Sequence, residues 1–468
     1  MRSLRGRTRT VAALAAATAL VLAGCGGDDG ADETTDESTA TEEETATEDA
    51  TATEEMTEEA TASETAAAGG EVATGRGVTA EPCPDGNPDR GCIYLGIISD
   101  LTVGPFAPLG APITEADEAF WTWVNDNGGI GEAYDVNVTE YTRDSEYNPQ
   151  VHAEAYEEIR GEVLAIAQSL GTSQTLSVIE AMDTDNMVAG PMTWWSGWNY
   201  NDLILQSGSS YCAQGMNGID YVADEVSSVA IVKFPGDYGE DWAAGVRLGA
   251  EAAGVEVLGE DIEQVPISAG GDVAAAVGEL AGMDPAPDAI FMATGPSELG
   301  EIAGGLAQQG YQGRYVGSNP TYNGALLDSP VGPVLEASYV VMGAFEAYNG
   351  ESVAHDNLRA AIPEPANDGA TYGWMMSYPL LSVLEAAYES GDLTPEGVRA
   401  AAGSATVDYE GALPELDLSA EGADQQVRQS SISAPDPEGV TGLTTLEVDF
   451  TGPTAEEYPF DEPCFSLN

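Results

Sequence analysis

The chain has 468 residues, which at roughly 150 residues per domain leaves room for about three folding units. Its 14 basic and 80 acidic residues give a formal charge of −66, a field that repels nucleic acid and anionic membrane surfaces. No uncharged apolar run beyond the first 25 residues is long enough to span a bilayer, so nucleic-acid binders and multi-pass transporters are excluded.

The chain opens on a positive segment with Arg2, Arg5, Arg7 and Arg9, followed by an alanine- and leucine-rich stretch over 11–22. That is an export signal, too short for a stable spanning helix. It ends in Leu22-Ala23-Gly24-Cys25, which resembles the bacterial lipobox, so 1–24 is expected to be removed and Cys25 to be lipidated. Several acyl chains on one residue hold a protein firmly to a membrane. Residues 25–75 are built of Thr, Ala, Glu, Asp, Ser and Gly, with no base. Such a segment cannot bury enough apolar surface to offset its ordering entropy, and its like charges stretch it into a tether.

The lead-in over 76–92 carries Cys83 and Cys92 around a Pro-Asp-Gly-Asn-Pro turn segment. With Cys25 set aside, Cys83, Cys92, Cys212 and Cys464 allow three pairings in an oxidising compartment. Closing the short loop is the simplest, and Cys212 to Cys464 follows by elimination. The two histidines, His152 and His355, are expected at the surface, and the spacings suit no metal site.

From there strands and helices alternate. Strands are predicted at 93–98, 136–141, 163–167 and 187–190. Between them lie a helix with Ile113, Ala116, Phe120, Trp123 and Val124 on one stripe, a helix opened by Asn148-Pro149, and a helix capped by Thr172 or Ser173. Asp183 to Asn186 begins like a calcium loop but lacks its glycine and closing glutamate, so it reads as a helix end. After Trp194, Trp195 and Trp198 and a helix over 214–225, the cadence restarts. Strands fall at 228–232, 255–265, 289–293 and 314–317, with helices at 239–253, 272–283 and 296–309. A strand at 338–342 and helices at 352–361, 371–389 and 395–402 follow, and the tail from Leu413 is turn-rich. Strands separated by such helices pair best in parallel, giving an α/β protein of two doubly wound lobes.

No nucleophile elbow, P-loop, dinucleotide fingerprint or zinc-protease helix occurs in its required context, so neither an enzyme nor a cofactor is expected. Ligands of doubly wound sheets bind at the carboxyl ends of strands, and Leu170-Gly171-Thr172-Ser173 lies there.

Four segments in order, Ile97-Ile98-Ser99-Asp100-Leu101-Thr102-Val103-Gly104-Pro105-Phe106-Ala107, Asn127-Gly128-Gly129-Ile130, Ser169-Leu170-Gly171-Thr172-Ser173, and Val229-Ala230-Ile231-Val232 with Asp237-Tyr238-Gly239, resemble the leucine/isoleucine/valine-binding family over about 93–415. Its members are solute-binding subunits of ABC importers with the type I periplasmic-binding fold. The resemblance implies two lobes, 93–211 plus about 341–412 and 212–340 plus about 413–468, joined by crossovers near Tyr211, Val340 and Leu413. It implies a monomer that meets a small-molecule ligand and permease subunits, touches the membrane only through its anchor, and contacts no nucleic acid.

By position, Thr172 and Ser173 match the family's hydroxyl site for a ligand carboxylate, Thr193 and Trp194 its second binding loop, and Tyr238 its aromatic contact in the other lobe. Phe106, Gly171 and Tyr211 belong to the same implied surroundings. Leu109 stands where the family often has an aromatic lid, and Gly295 fills a position that can be aromatic. Asn319 falls where amino-acid binders use a glutamate against the ligand ammonium. A neutral amide cannot pair a buried cation as a carboxylate does. The expected solute is therefore small and polar, an amino acid, amide, urea-like compound or aromatic acid. A sensing lipoprotein with the same lobes is the alternative, and an exported hydrolase a weaker one.

Overall fold

The computed structural model describes residues 72–420 and 422–466. The export signal, Cys25 and nearly all of the tether lie outside them.

Strand β1 (Val78–Thr79) runs antiparallel to the start of β2 (Gly91–Ser99), and β3 (Tyr134–Asp144), β4 (Ala165–Leu170) and β5 (Ala189–Met192) complete a parallel sheet in the order β3-β2-β4-β5. Helix α1 (Ala107–Asp126) leaves β2, and α2 (Pro149–Ile159), α3 (Thr172–Leu176) and α4 (Ile179–Asp185) fill the later connections. Asn148 caps α2 by accepting from Gln150 N and Val151 N, with Pro149 in the first turn where its missing N–H costs nothing. Residues 183–186 are a helix end, closed by Asn186 in the left-handed region.

The chain then passes to the second lobe through α5 (Tyr211–Val222). A second sheet holds β6 (Ser228–Lys233), the two-residue β7 (Glu256–Val257) and β8 (Ile262–Glu263), β9 (Ala289–Ala293), β10 (Arg314–Ser318) and β11 (Tyr339–Gly343), all parallel. Helices α6 (Asp237–Ala253), α7 (Val273–Gly282), α8 (Pro296–Gln308) and α9 (Gly332–Ser338) connect them. The chain returns to pack α10 (Val353–Ala361), α11 (Gly369–Met375), α12 (Tyr378–Ser390) and α13 (Pro395–Ala402) on the first lobe, chiefly α11 on α1 and α12 on α13. A short pair, β12 (Thr406–Val407) and β13 (Leu416–Asp417), precedes a hairpin of β14 (Ser430–Pro435) and β15 (Leu443–Phe450), which joins the second sheet antiparallel to β11. Helix α14 (Pro453–Glu457) closes the described chain against α5.

Several expectations change. One strand over 255–265 becomes two short ones, because Gly259 at φ +71° turns the chain between them. One helix over 371–389 becomes α11 and α12, the break falling at Ser377, before Pro379, whose ring nitrogen cannot donate to a continuing helix. The tail is a sheet hairpin rather than turns. Residue Val340 sits in the middle of β11, paired with Val316, so the second crossover follows Gly343.

Both histidines are fully buried. His152 Nε2 meets Ser169 Oγ at 3.1 Å, and burial pushes its pKa down to about 3. His355 Nδ1 meets Ser352 Oγ at 2.7 Å, and burial first, then the Arg359 charge, lowers it to about 4. Packing of α2 and α10, which sequence periodicity alone did not reveal, holds them neutral. The disulfides are Cys83–Cys92 and Cys212–Cys464.

Two local devices position the site. Pro112 inside α1 leaves the Pro108 carbonyl without its helical donor, and Asn367 Nδ2 takes that place at 2.8 Å, tying the segment before α11 to the start of α1. At Gly373 a Cβ would stand 2.1 Å from the Ile113 carbonyl, so only glycine lets α11 approach α1 this closely.

Candidate ligand cleft

In each sheet the connections reverse direction at one place, between β2 and β4 in the first and between β6 and β9 in the second. Loops leave such a switch point on opposite faces and open a crevice at the carboxyl ends of the strands. Phe106 follows β2, Tyr147 follows β3, Gly171 follows β4 and Thr193 and Trp194 follow β5, while Tyr238 follows β6 and Pro320 follows β10. These residues line one cavity with Leu109, Ile113, Leu170, Met192, Tyr211 and Tyr372, around about 440 Å³ of empty space that includes its open mouth.

The loop after β2 is shaped by Asp100, whose carboxylate accepts from Gly104 N (2.9 Å) and Phe106 N (3.0 Å). This turns Phe106 into the cleft. There it packs edge-on against Tyr147 (ring centroids 5.0 Å apart) and, across the lobes, against Tyr238 (5.9 Å) and Phe234 (6.0 Å). The aromatic wall continues through Tyr238 and Tyr211 (4.7 Å), Tyr211 and Trp194 (6.0 Å), and Trp194 and Tyr372 (5.8 Å). Edge-to-face pairs of this kind add about 0.5–1.5 kcal/mol each beyond their buried area. Burial raises the phenols of Tyr147, Tyr211 and Tyr372 well above their ordinary value, so all three stay protonated donors.

Several polar groups lie behind this wall. Gly171 adopts φ +100°, and a Cβ there would stand 2.1 Å from Gln174 Oε1, so the turn into α3 requires glycine. Trp194 Nε1 donates to Ser207 O (3.0 Å). The Tyr238 hydroxyl is held inside the second lobe by Ser318 Oγ (2.6 Å), Thr321 Oγ1 (2.9 Å) and Thr294 O (3.1 Å). Across the cleft, Ser173 Oγ donates to Asp237 Oδ1 (2.8 Å). Burial raises the Asp237 pKa against the facing Thr172 and Ser173 hydroxyls, which lower it. One turn along α6, Asp241 accepts from Ser196 N (3.0 Å), Ser196 Oγ (2.5 Å) and Cys212 N (3.2 Å), and burial raises it to about 7.

Of the residues singled out in the sequence, the structure brings Phe106, Leu109, Gly171, Thr193, Trp194, Tyr211 and Tyr238 together on the cavity. Thr172 and Ser173 stand one layer back. Their hydroxyls meet Thr193 Oγ1 (2.9 Å) and Asp237, and neither caps α3, whose cap residue is Gly171. Gly295 is at the start of α8, near Pro105 O and Glu298, outside the lining.

Asn319 is buried and turned away. Its Nδ2 donates to Met342 O (3.2 Å) and its Oδ1 accepts from Ala344 N (3.1 Å), so it binds the loop after β10 to the second crossover, and its neighbour Pro320 reaches the cavity instead. Of the tryptophans only Trp194 lines the cavity. Trp195 and Trp198 pack edge-on at 5.1 Å in a separate core with Ile98 and Ile204. Leu170 lines the cavity too, as the first residue of the segment read as a ligand candidate, whereas Tyr147, Met192 and Pro320 were not selected in the sequence, although all three lie at or just past a strand's carboxyl end. Tyr372 carried no such signal. Ile113 was assigned only to the buried stripe of its helix. No lysine or arginine lines the cavity.

Two doubly wound lobes with a cavity at their facing switch points define a solute-binding protein of the type I periplasmic-binding fold. The chain belongs to the periplasmic binding protein family, whose model matches residues 93–433. It is thereby an extracytoplasmic solute-binding protein and not an enzyme. It is similar to a fatty acid ABC transporter substrate-binding protein from Thermomonospora curvata, at 28% identity and a TM-score of 0.74, covering 83% of this chain and 97% of that one. A branched chain amino acid ABC transporter protein from Thermus thermophilus with bound valine shares the fold at 17% identity and a TM-score of 0.65, over 79% and 98% of the two chains. So does a solute binding protein of an ABC transporter from Rhodopseudomonas palustris BisB5 in complex with 3,4-dihydroxy benzoic acid, at 18% identity and 0.61, over 77% and 99%. No curated protein matches the chain.

Proposed function

We propose that the protein is the lipid-anchored receptor of an ABC importer, and that its lobes clamp a small solute with a mainly apolar body. Cys25 would carry the anchor and the acidic segment after it the reach, with permease subunits as the partner. The observation that carries the solute class is the lining: six aromatic rings with Leu109, Ile113, Leu170 and Met192, and no lysine or arginine. Burying an apolar body there is favourable at about 25 cal/mol per Å² removed from water. A zwitterionic amino acid or urea would instead surrender its hydration for few partners. Within the range of solutes expected from the sequence, the amide and aromatic members fit this lining better than free amino acids do, and the Thermomonospora curvata relative extends the range to aliphatic chains. The mechanism is hinge closure, in which contacts from both lobes favour the closed state by the difference in affinity between the two forms.

A thermal-shift screen of amino acids, urea, alkyl amides and aromatic acids tests the solute class, because a ligand of the folded form raises the melting temperature. Alkyl or aromatic compounds are expected to stabilise the protein. Stabilisation by urea or glycine alone would contradict the reading. For the anchor, Cys25→Ser should move the protein from the membrane fraction to the medium.

A further inference from the structure

Two rings of the cavity wall, Trp194 and Tyr211, come from opposite ends of the first crossover and are joined through their backbones, Tyr211 N donating to Trp194 O at 2.7 Å. Each is followed in sequence by an anchor for one and the same distant segment, 458–465. After Tyr211 stands Cys212, bridged to Cys464. After Trp194 come Trp195, whose Nε1 donates to Phe465 O (2.9 Å), and Ser196, whose Oγ accepts from Cys464 N (2.9 Å). At the end of the same 3-10 turn (Ser196–Tyr200) the Tyr200 hydroxyl donates to Phe460 O.

The segment is itself held in place. Phe460 is fully buried in a small core with Cys212, Ala213, Met216 and Ala455, under the Arg428 guanidinium 4.8 Å from its ring centroid, and the same guanidinium donates to Tyr458 O (2.7 Å). Asp241 of α6 joins the two anchors from the other side, since its carboxylate accepts from both Ser196 and Cys212. Segment 458–465 therefore lies behind the cleft wall and fastens the first-lobe turn that presents Trp194 to the second-lobe helix that presents Tyr211.

Resting on the reading of the cleft as the solute site, we propose that segment 458–465, cross-linked through Cys464, is the back support of that wall, holding Trp194 and Tyr211 in their binding positions and so setting the affinity for solute. Rings held in place before the solute arrives spare binding the cost of ordering them. Cys212, Cys464 and Ser196 touch no solute in this arrangement; they are positioning residues that act through the rings next to them. The bridge also restrains the unfolded chain, but a loss of global stability alone leaves affinity unchanged while nearly all molecules remain folded.

The test is calorimetric titration of the full chain with octanamide. Cys212→Ala with Cys464→Ser should weaken binding by about tenfold or more. Cys83→Ser with Cys92→Ser removes the other bridge, at the amino end of β2 and so at the far end of the first sheet from the cleft, and should stay within about threefold of the wild type. Hydrogen exchange separates positioning from general loosening. Without the Cys212–Cys464 bridge the Tyr211 amide should exchange faster by more than the β9 amides do, which report the stability of the second lobe's core. If the bridge-less variant does not melt cooperatively, Ser196→Ala keeps the bridge, removes the hydroxyl between Cys464 N and Asp241, and should still weaken octanamide binding by about threefold or more. Unchanged affinity in the folded bridge-less variant, an equal loss in the Cys83 and Cys92 variant, or a Tyr211 amide that changes only as much as β9 would overturn the proposal while leaving the apolar cleft standing. Failure of octanamide to bind the wild type would overturn both.

Discussion

The two lobes are built on the same winding but meet the cleft differently. The first offers side chains from four strand ends and from α11, among them Phe106, Tyr147, Trp194 and Tyr372. The second offers Tyr211, Tyr238 and Pro320. Behind Tyr238 the second lobe has invested its strand ends in a hydrogen-bonded cluster of Thr294, Ser318 and Thr321, which fixes one ring. On the proposed reading, the lining comes mainly from the first lobe, and the second supplies the fixed Tyr238 ring and the carboxylate that crosses to Ser173. Equivalent positions of one fold can therefore be spent either on contacting a ligand or on holding the residue that does.

Substitutions in the two lobes should separate these roles. The largest effect is expected for Trp194→Ala, which removes the ring joining Tyr211 to Tyr372 and should weaken binding of an apolar ligand by about 3 kcal/mol, on the order of 100-fold. Calorimetry measures it, and a loss below about threefold would remove Trp194 from the site. Tyr238→Phe keeps the ring and removes its three hydrogen bonds, while Ser318 and Thr321 keep each other, so it should cost about 1 kcal/mol of folding stability in denaturant titration and less in affinity. A larger loss in affinity than in stability would invert the assignment of roles.

The smallest effect concerns pH. Burial raises Asp117 in α1 to about 8, with Trp121 and Ser377 opposing the shift. The unfolded chain ionises near the ordinary carboxylate value, so unfolding releases a proton between the two values and stability falls as pH rises from about 4 to about 8. Asp117→Asn removes that dependence, and its advantage in melting temperature should grow across this window to about 2–4 °C. His152 acts at the acid end. Its folded pKa is depressed, so protons favour the unfolded chain as pH falls from about 6.5 toward 3, and stability declines there. Melting curves that are flat in pH would contradict both assignments.

What the sequence made legible follows from where the information resides. Continuous apolar runs such as β9 and β6 lie in fully buried parallel strands, so their bounds were readable to within a residue. The hairpin of β14 and β15 was not, because Ser430, Ser431 and Ser433 break the apolar pattern and β15 is an edge strand with Leu446 and Val448 exposed. At the cleft, residues just past strand ends could be found from topology alone, whereas Tyr372 arrives from a helix that returns to the first lobe about 180 residues after that lobe's sheet ends, and only tertiary packing places it. The roles of Thr172, Ser173 and Asn319 depended on which neighbours claimed their hydrogen bonds. Asp237 and the Met342 and Ala344 backbone are distant in sequence, so no local pattern announced them.

Closure on an apolar solute is the claim on which the rest stands, and X-ray scattering during titration with octanamide tests it most directly. A saturable decrease in radius of gyration at one equivalent of ligand, absent in Trp194→Ala, is the predicted result. Saturable binding with no contraction, or the same contraction in Trp194→Ala, would contradict it.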